Sequence, residues 1–305
     1  LVDEGKVKLD DPVEKYLPEF RGQMVLVEGD DQRQVLKKPN HPITVREVLS
    51  HTSGLPFFSK IEKKIDQYSL ATACISYGMS PLKYEPGTKY EYSNAGINTA
   101  GRIIEVVSGK PYEVFMQERI FTPLGMKDTT FWPNEEQLGR LAKAYRPNAA
   151  KDGLEAVEIS QFTYPLLDKS RGPSPAGGYF STAADCGVFC QMLLNGGEFG
   201  GKQYISRNSI REMGSTQTGD LLNQGKGEGG YGLGWQTERK ANPQVETITV
   251  GTFGHGGAYS TNMTLNPPQK IITVFLVHHA GFANNEGGKI LGTFMKAATD
   301  EFGGK

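Results

Sequence analysis

The sequence has little cysteine, no long apolar run and almost no net charge. Its three cysteines, Cys74, Cys186 and Cys190, follow no framework spacing, which argues against a disulfide-stapled fold. The longest apolar run, residues 271–277, is far shorter than the roughly 18 residues of a membrane helix, so we expect no membrane span. A net charge of -1, with both signs mixed along the chain, gives no electrostatic basis for nucleic acid or an anionic membrane as a partner.

Several familiar catalytic and nucleotide-binding signatures are also absent. The sequence contains no Gly-x-Ser-x-Gly, no His-Glu-x-x-His, no phosphate-cradling glycine loop and no dinucleotide fingerprint. Cys186 and Cys190 lie four residues apart on a predicted helix, but no histidine is near them in sequence. Packing residues are therefore a better interpretation than a metal pair, and we expect no metal and no cofactor.

The chain opens on residues 1–5 (LVDEG), without an initiator Met, a basic segment or an apolar segment. These residues look like the last turn of a helix, with Gly5 at the position just past the helix end. No signal peptide is visible, and this start does not decide whether the protein is secreted.

What is present predicts an α+β fold. The composition, 37% hydrophobic and 22% charged, is that of an ordinary globular protein. Residues from about 6 to 169 show mainly helices and loops, and strand patterns predominate after Gly177-Gly178. We expect a helical lobe (about 6–169) followed by an antiparallel sheet flanked by helices (about 170–305). The expected strands cover 231–237, 247–253, 258–265 and 271–277; the last of these, apolar on both faces, is expected at the centre of the sheet.

Tyr92-Ser93-Asn94 precedes a predicted helix over residues 95–107. The tyrosine is expected beside the helix N-terminus, with the asparagine amide next to it. A phenol, with an ordinary pKa near 10, acts as a general base only if a neighbouring cation lowers that pKa. Taken alone, the triplet is explained more simply as a helix cap.

His255-Gly256-Gly257 is expected between two strands and runs directly into Ala258. Paired glycines in a strand usually mark a bulge or a place where something approaches the backbone closely. The N–H of Ala258 is then a candidate oxyanion donor to a substrate carbonyl. The plainer alternative is a bulge at the strand edge with a surface histidine.

The order of several short phrases narrows these alternatives. In chain order they are 51–56 (HTSGLP), 85–88 (EPGT), 92–96 (YSNAG), 123–126 (PLGM), 177–182 (GGYFST) and 253–257 (FGHGG). Together they resemble the serine β-lactamase-like family, which includes class C β-lactamases, family VIII carboxylesterases, D-aminopeptidases and DD-peptidases. The resemblance covers about residues 1–277 and implies a β-lactamase/transpeptidase-like fold. It also implies a periplasmic or extracellular location.

The resemblance assigns roles to the two motifs. Tyr92 would relay a proton from the nucleophile to the leaving group, and Asn94 would hydrogen-bond the substrate and a lysine. The triplet at 255–257 matches the family's Lys/His/Trp-x-Gly strand element, and the Ala258 N–H would be one half of the oxyanion hole. His51 lies in a phrase that looks structural, where a buried histidine ties a loop by backbone hydrogen bonds.

The family's Ser-x-x-Lys element is the departure. The opening residues normally follow that helix, so we expect the nucleophile roughly a dozen residues before Leu1. The one Ser-x-x-Lys present runs from Ser80 to Lys83 and is followed at once by residues 84–87 (YEPG), which leaves no room for the required helix. Ser80 is therefore not assigned as the nucleophile.

The resemblance predicts a serine hydrolase that forms an acyl-enzyme on an ester, a β-lactam or a D-amino-acid peptide. His255 in place of lysine weakens the anchoring of a substrate carboxylate, which favours an ester or peptide over a β-lactam. The chain from Leu1 to Lys305 is expected to be inactive alone. A separate N-terminal fragment is a candidate partner. The alternative is a non-catalytic pseudo-hydrolase that binds peptide or glycan in the same cleft.

Overall fold

A computed structural model describes residues 1–30, 32–222, 229–238, 250–281 and 285–303. The helices in these ranges are α1 (Val45–Leu49), α2 (Leu70–Gly78), α3 (Asn94–Ser108), α4 (Tyr112–Met116), α5 (Thr122–Leu124), α6 (Glu135–Gly139), α7 (Ala183–Leu194), α8 (Arg207–Gly214) and α9 (Asn285–Phe302). The strands are β1 (Val25–Gly29), β2 (Gln34–Lys37), β3 (Ala144–Pro147), β4 (Leu154–Val157), β5 (Glu198–Phe199), β6 (Lys202–Gln203), β7 (Gly229–Tyr231), β8 (Gln236–Glu238), β9 (Phe253–Gly256), β10 (Asn262–Asn266) and β11 (Ile271–Phe275).

Five strands form one antiparallel sheet in the order β11-β10-β9-β8-β7, and the other six form three hairpins. The sheet and the helices confirm the predicted α+β fold. A one-turn 3-10 helix, Pro267–Gln269, joins β10 to β11 and allows them to pair antiparallel, as predicted. Within the described residues no helix is both long and apolar enough to cross a membrane.

The predicted strand bounds are wrong at three places. β7 ends at Tyr231 and β8 begins at Gln236, so residues 231–237 are not one strand; the chain turns at Gly234, whose φ is 78°. The strand predicted over 247–253 has its first three residues outside the described ranges, and β9 instead begins at Phe253 and continues through Gly256. The strand predicted from Ala258 begins only at Asn262, since residues 258–260 form a turn.

β11 lies at an edge of the five-stranded sheet, which contradicts its predicted central position. The strand contacts both α7 and α9, and this helical cover accounts for its apolar side chains. Apolar side chains on both faces of a strand therefore indicate that helices cover it. They do not by themselves indicate that it pairs with a strand on each side.

The helix predicted over 95–107 is confirmed as α3, with sharp ends. The Ser93 Oγ accepts a hydrogen bond from the Gly96 N–H at 3.0 Å, and Gly109 ends the helix in the left-handed conformation with φ 69°. The capped N-terminus fixes the backbone next to Tyr92, the residue before the cap.

Two clusters of buried apolar residues join segments that are far apart in sequence. The first joins residues from Val7 to Ile103 and includes Val48, Leu55, Tyr77 and Ala95. The second joins residues from Phe121 to Leu265, including residues of α7 and the sheet. The predicted boundary between lobes, near residue 169, stays a prediction.

Residues 1–6 have the hydrogen-bond pattern of a helix C-terminus. The Gly5 N–H donates to the Val2 carbonyl at 2.9 Å and the Lys6 N–H to the Leu1 carbonyl at 3.0 Å. Gly5 has a φ of 68°. This pair of bonds around a left-handed glycine is the Schellman motif, as the sequence predicted.

Candidate active site

Tyr92 is held in the two residues before α3. Next to it, Ser93 caps the helix, and its hydroxyl also donates to the Pro56 carbonyl at 2.7 Å. Asn94 is the first residue of α3 and is 8% exposed. The cap and the bond to Pro56 therefore fix the backbone on which both Tyr92 and Asn94 lie.

His51 is buried beneath Tyr92. Its Nδ1 accepts a hydrogen bond from the Ser93 N–H at 3.1 Å, and its ring centroid lies 4.1 Å from that of Tyr92. The His51 backbone is left-handed, with φ 59°, and its carbonyl accepts from the Glu91 N–H at 3.0 Å. His51 thus ties the loop that carries Tyr92, which agrees with the structural role expected from the sequence.

The structure brings His255 and Tyr92 together. His255 lies within β9, and its Nε2 is 3.5 Å from the Tyr92 hydroxyl. Its Nδ1 lies 2.6 Å from the Gly256 carbonyl. The expected position between two strands is wrong, because β9 pairs with β10 as far as Gly256. The two motifs nevertheless meet, although they are far apart in sequence.

Sequence reasoning missed Tyr231, whose hydroxyl lies 3.0 Å from the His255 Nε2. The glycines around it carried a signal: a Cβ on Gly232 would lie 2.1 Å from the Met213 carbonyl oxygen. The Gly234 N–H also donates to the Leu49 carbonyl at 2.9 Å, which ties the turn after β7 to the end of α1. Gly232 and Gly234 therefore indicate that the backbone here packs closely against neighbouring segments. This packing places Tyr231 against His51.

Both partners in the Tyr92–His255 pair are neutral at physiological pH. Burial raises the pKa of Tyr92, and no charged group in the described residues counteracts it. Burial also lowers the pKa of His255, against a smaller opposite effect of the hydrogen bond to Gly256. The cation that a phenolate base requires is therefore not supplied by the described residues.

The two glycines after His255 differ in how closely other atoms surround them. A Cβ on Gly257 would lie 2.2 Å from the Thr261 Oγ1, and the Gly257 N–H donates to the Thr261 carbonyl at 2.8 Å. A Cβ on Gly256 would meet nothing nearer than the Thr261 carbonyl at 3.5 Å. Ala258 follows as an exposed residue in the turn between β9 and β10.

Other candidate groups are engaged elsewhere. The Ser80 hydroxyl donates to the Ser76 carbonyl at 2.8 Å, and Lys83 forms an ion pair with Glu91. Cys190 is buried with its sulfur 3.9 Å from that of Met263. In the ranges that the structure describes, no group of three or more potential metal ligands comes together.

The burial of His51 predicts a pH dependence of stability. Burial, and then repulsion from His255 when its ring is protonated, lower the pKa of His51 to about 3. As the pH falls through about 6.5, His51 therefore takes up a proton in the unfolded chain but stays neutral in the folded chain. The free energy of unfolding consequently falls as the pH falls. We expect this group to cost about 2 kcal/mol of unfolding free energy between about pH 7.5 and pH 5.

Urea unfolding at the two pH values measures this effect, with His51→Gln as the variant that no longer titrates. The pH-induced loss should shrink by about 2 kcal/mol in His51→Gln relative to wild type. An equal loss in wild type and His51→Gln would contradict the prediction.

Comparison with known proteins identifies the family of the chain. Residues 1–291 match the family model described as Beta-lactamase. A protein named "Putative D-alanyl-D-alanine carboxypeptidase" from Escherichia coli (strain K12) is 27% identical over 280 residues, which cover 84% of this chain and 59% of that protein. The chain thus spans somewhat more than half the length of this curated relative.

Solved structures show the same fold. "EstCE1, a hydrolase with promiscuous acyltransferase activity" superposes with a TM-score of 0.79 at 23% identity, covering 97% of this chain and 79% of that one. A D-stereospecific amidohydrolase from Streptomyces sp. gives 0.60 at 25% identity, covering 88% and 73%. The match to the family model covers most of the chain. The chain therefore belongs to the beta-lactamase family.

Proposed function

We propose that the protein is a serine hydrolase that forms an acyl-enzyme, with its nucleophile on a Ser-x-x-Lys helix upstream of Leu1. The observation that carries the proposal is the meeting of the Tyr92 hydroxyl and the His255 imidazole, 3.5 Å apart, beside the N-terminus of α3. The turn at residues 1–5 supports it, because it has the geometry of a helix end. Similarity to a hydrolase and to an amidohydrolase agrees with the same chemistry.

In the proposed reaction the serine Oγ attacks the substrate carbonyl and its proton passes to Tyr92. Because Tyr92 is a neutral phenol, it passes its own proton to the leaving oxygen or nitrogen in the same event in which it accepts the proton of the serine. The bond to the leaving group breaks, which leaves an acyl-serine ester for water to hydrolyse. The lysine of the upstream helix would hold Tyr92 in place for this proton transfer. Asn94 would orient the substrate.

The backbone N–H of Ala258 would stabilise the negative oxygen of the tetrahedral intermediate. The exposed position of Ala258 in the turn after β9 supports this role. Gly256, two residues before Ala258, is exposed, which leaves room for a substrate along the strand.

The neutral state of His255 favours substrates without a carboxylate beside the scissile bond. A fixed ammonium would anchor such a carboxylate, whereas a neutral imidazole cannot. We therefore propose that uncharged esters are turned over better than penicillins or peptides ending in a free carboxylate.

His255→Lys tests the proposed function and its substrate class together. Wild-type protein carrying its upstream sequence should hydrolyse p-nitrophenyl butyrate with a higher kcat/KM than benzylpenicillin. A lysine at 255 should raise the penicillin-to-ester ratio of kcat/KM about tenfold or more, because a charge-assisted hydrogen bond to the carboxylate is gained.

His41→Lys makes the same change on the exposed surface and should leave the ratio unchanged. A wild type that prefers penicillin would overturn the substrate class. A wild type that binds peptide or glycan but turns over none of these substrates would establish the non-catalytic alternative.

A further inference from the structure

We infer that Tyr231 is a positioning residue, whose hydroxyl occupies the His255 Nε2 and so leaves the Tyr92 hydroxyl free to exchange protons. This inference rests on the proposed function for the role of Tyr92. The hydrogen bond on which it depends can be tested without turnover.

The neighbours of His255 determine which of its nitrogens carries the proton. The Gly256 carbonyl lies 2.6 Å from Nδ1, and a carbonyl can only accept, so Nδ1 carries the hydrogen. In the neutral ring Nε2 is then bare and offers one lone pair in the plane of the imidazole.

Two hydroxyls compete for that lone pair. The Tyr231 oxygen lies 3.0 Å from Nε2 and the Tyr92 oxygen 3.5 Å, so Tyr231 is the hydrogen-bond donor and Tyr92 is at the limit of bonding distance. Tyr231 is 1% exposed, and burial raises its pKa, which keeps its hydroxyl protonated. Its ring packs edge-on against His51, with centroids 4.6 Å apart. The donor is therefore held in place.

The consequence falls on Tyr92. With the Nε2 lone pair occupied, the Tyr92 hydroxyl is not captured by His255 and can bridge the nucleophile and the leaving group. Without the Tyr231 hydroxyl, Tyr92 becomes the nearest donor to Nε2, and a shift of a few tenths of an ångström would bind it there. Its hydroxyl would then point away from the reacting atoms.

Tyr231→Phe removes the hydroxyl and keeps the ring. In the protein with its upstream sequence, we expect kcat for p-nitrophenyl butyrate to fall about tenfold or more, with KM nearly unchanged, because the proton relay is misplaced while substrate contacts remain. Tyr90→Phe is the matched control. Tyr90 belongs to the same group of rings, with its centroid 5.7 Å from that of Tyr231, and its hydroxyl makes no hydrogen bond to the described residues.

Nitrogen NMR of protein labelled at its five histidines tests the hydrogen bond directly. A His255→Gln variant identifies the His255 signals. We expect Nδ1 to be protonated and Nε2 bare in wild type. The Nε2 signal should stay that of a hydrogen-bonded nitrogen in Tyr92→Phe, because Tyr231 is the donor, and in Tyr231→Phe, because Tyr92 takes its place. It should move to that of an unbonded ring nitrogen only when both substitutions are combined.

A bare Nδ1, or an Nε2 signal that Tyr92→Phe alone moves to that of an unbonded nitrogen, would overturn the inference at the hydrogen bond. The expected nitrogen signals together with an unchanged kcat in Tyr231→Phe would overturn the positioning role. A wild type without esterase activity would overturn the proposed function, and with it the role of Tyr231. The nitrogen signals distinguish that case, because they do not depend on turnover.

Discussion

Tyr92→Phe is expected to lower the turnover of a chromogenic short-chain ester by about 10²-fold or more, the usual loss when a general acid–base group is removed. The hydroxyl is the polar atom that this substitution removes. The ring keeps its packing against His51, at 4.1 Å between centroids, and against Phe57, at 6.2 Å. Folding and KM should therefore change little, and the loss should appear in kcat.

The kinetics are measured on protein that carries its upstream sequence, with Tyr90→Phe as the control for loss of a phenol from the same ring cluster. Equal melting temperatures of the two variants would exclude a general loss of structure. A Tyr92→Phe variant with wild-type kcat would remove Tyr92 from the mechanism, whatever its distance from His255.

Phosphonylation by a fluorophosphonate probe should depend entirely on the sequence before Leu1. We expect one adduct per molecule, on an upstream serine, in the longer protein and none in the chain from Leu1 to Lys305. The reason is chemical, since the nucleophile must have a base within hydrogen-bond reach. Ser93 is the serine next to Tyr92, but it is 1% exposed and its hydroxyl caps α3 and donates to Pro56.

Intact-mass spectrometry followed by peptide mapping locates the adduct. Replacing the upstream serine by alanine should abolish it, whereas Ser80→Ala should leave it unchanged, because the Ser80 hydroxyl bonds to Ser76 and Lys83 pairs with Glu91. A stoichiometric adduct on any serine between Ser50 and Ser260 would show that the nucleophile lies within the present chain.

Local patterns in the sequence were sufficient for several elements of the fold. Helix α3 could be predicted with its cap and its terminating Gly109, because capping and glycine termination depend on a few adjacent residues. The antiparallel pairing of β10 with β11 likewise follows from a short connection. The left-handed turn at Gly5 was likewise predicted from residues 1–5.

The candidate site was recognised from two motifs, and their functional roles stay predictions. The motifs identified Tyr92, Asn94 and His255, because each lies in a short phrase with a recognisable chemical pattern. They did not identify Tyr231, which lies in no such phrase and reaches the site through the folding of the sheet against α1.

The sequence by itself determined the fold class, the helix ends and the pair of motifs, because these follow from contacts between residues close along the chain. Only the tertiary structure decided that β11 is an edge strand, that Tyr231 is bonded to His255, and that Tyr92 and His255 are neutral. Strand order and burial arise from segments far apart in sequence. Burial sets the charge of a phenol or an imidazole by removing water from it, and no local pattern records how much water is removed.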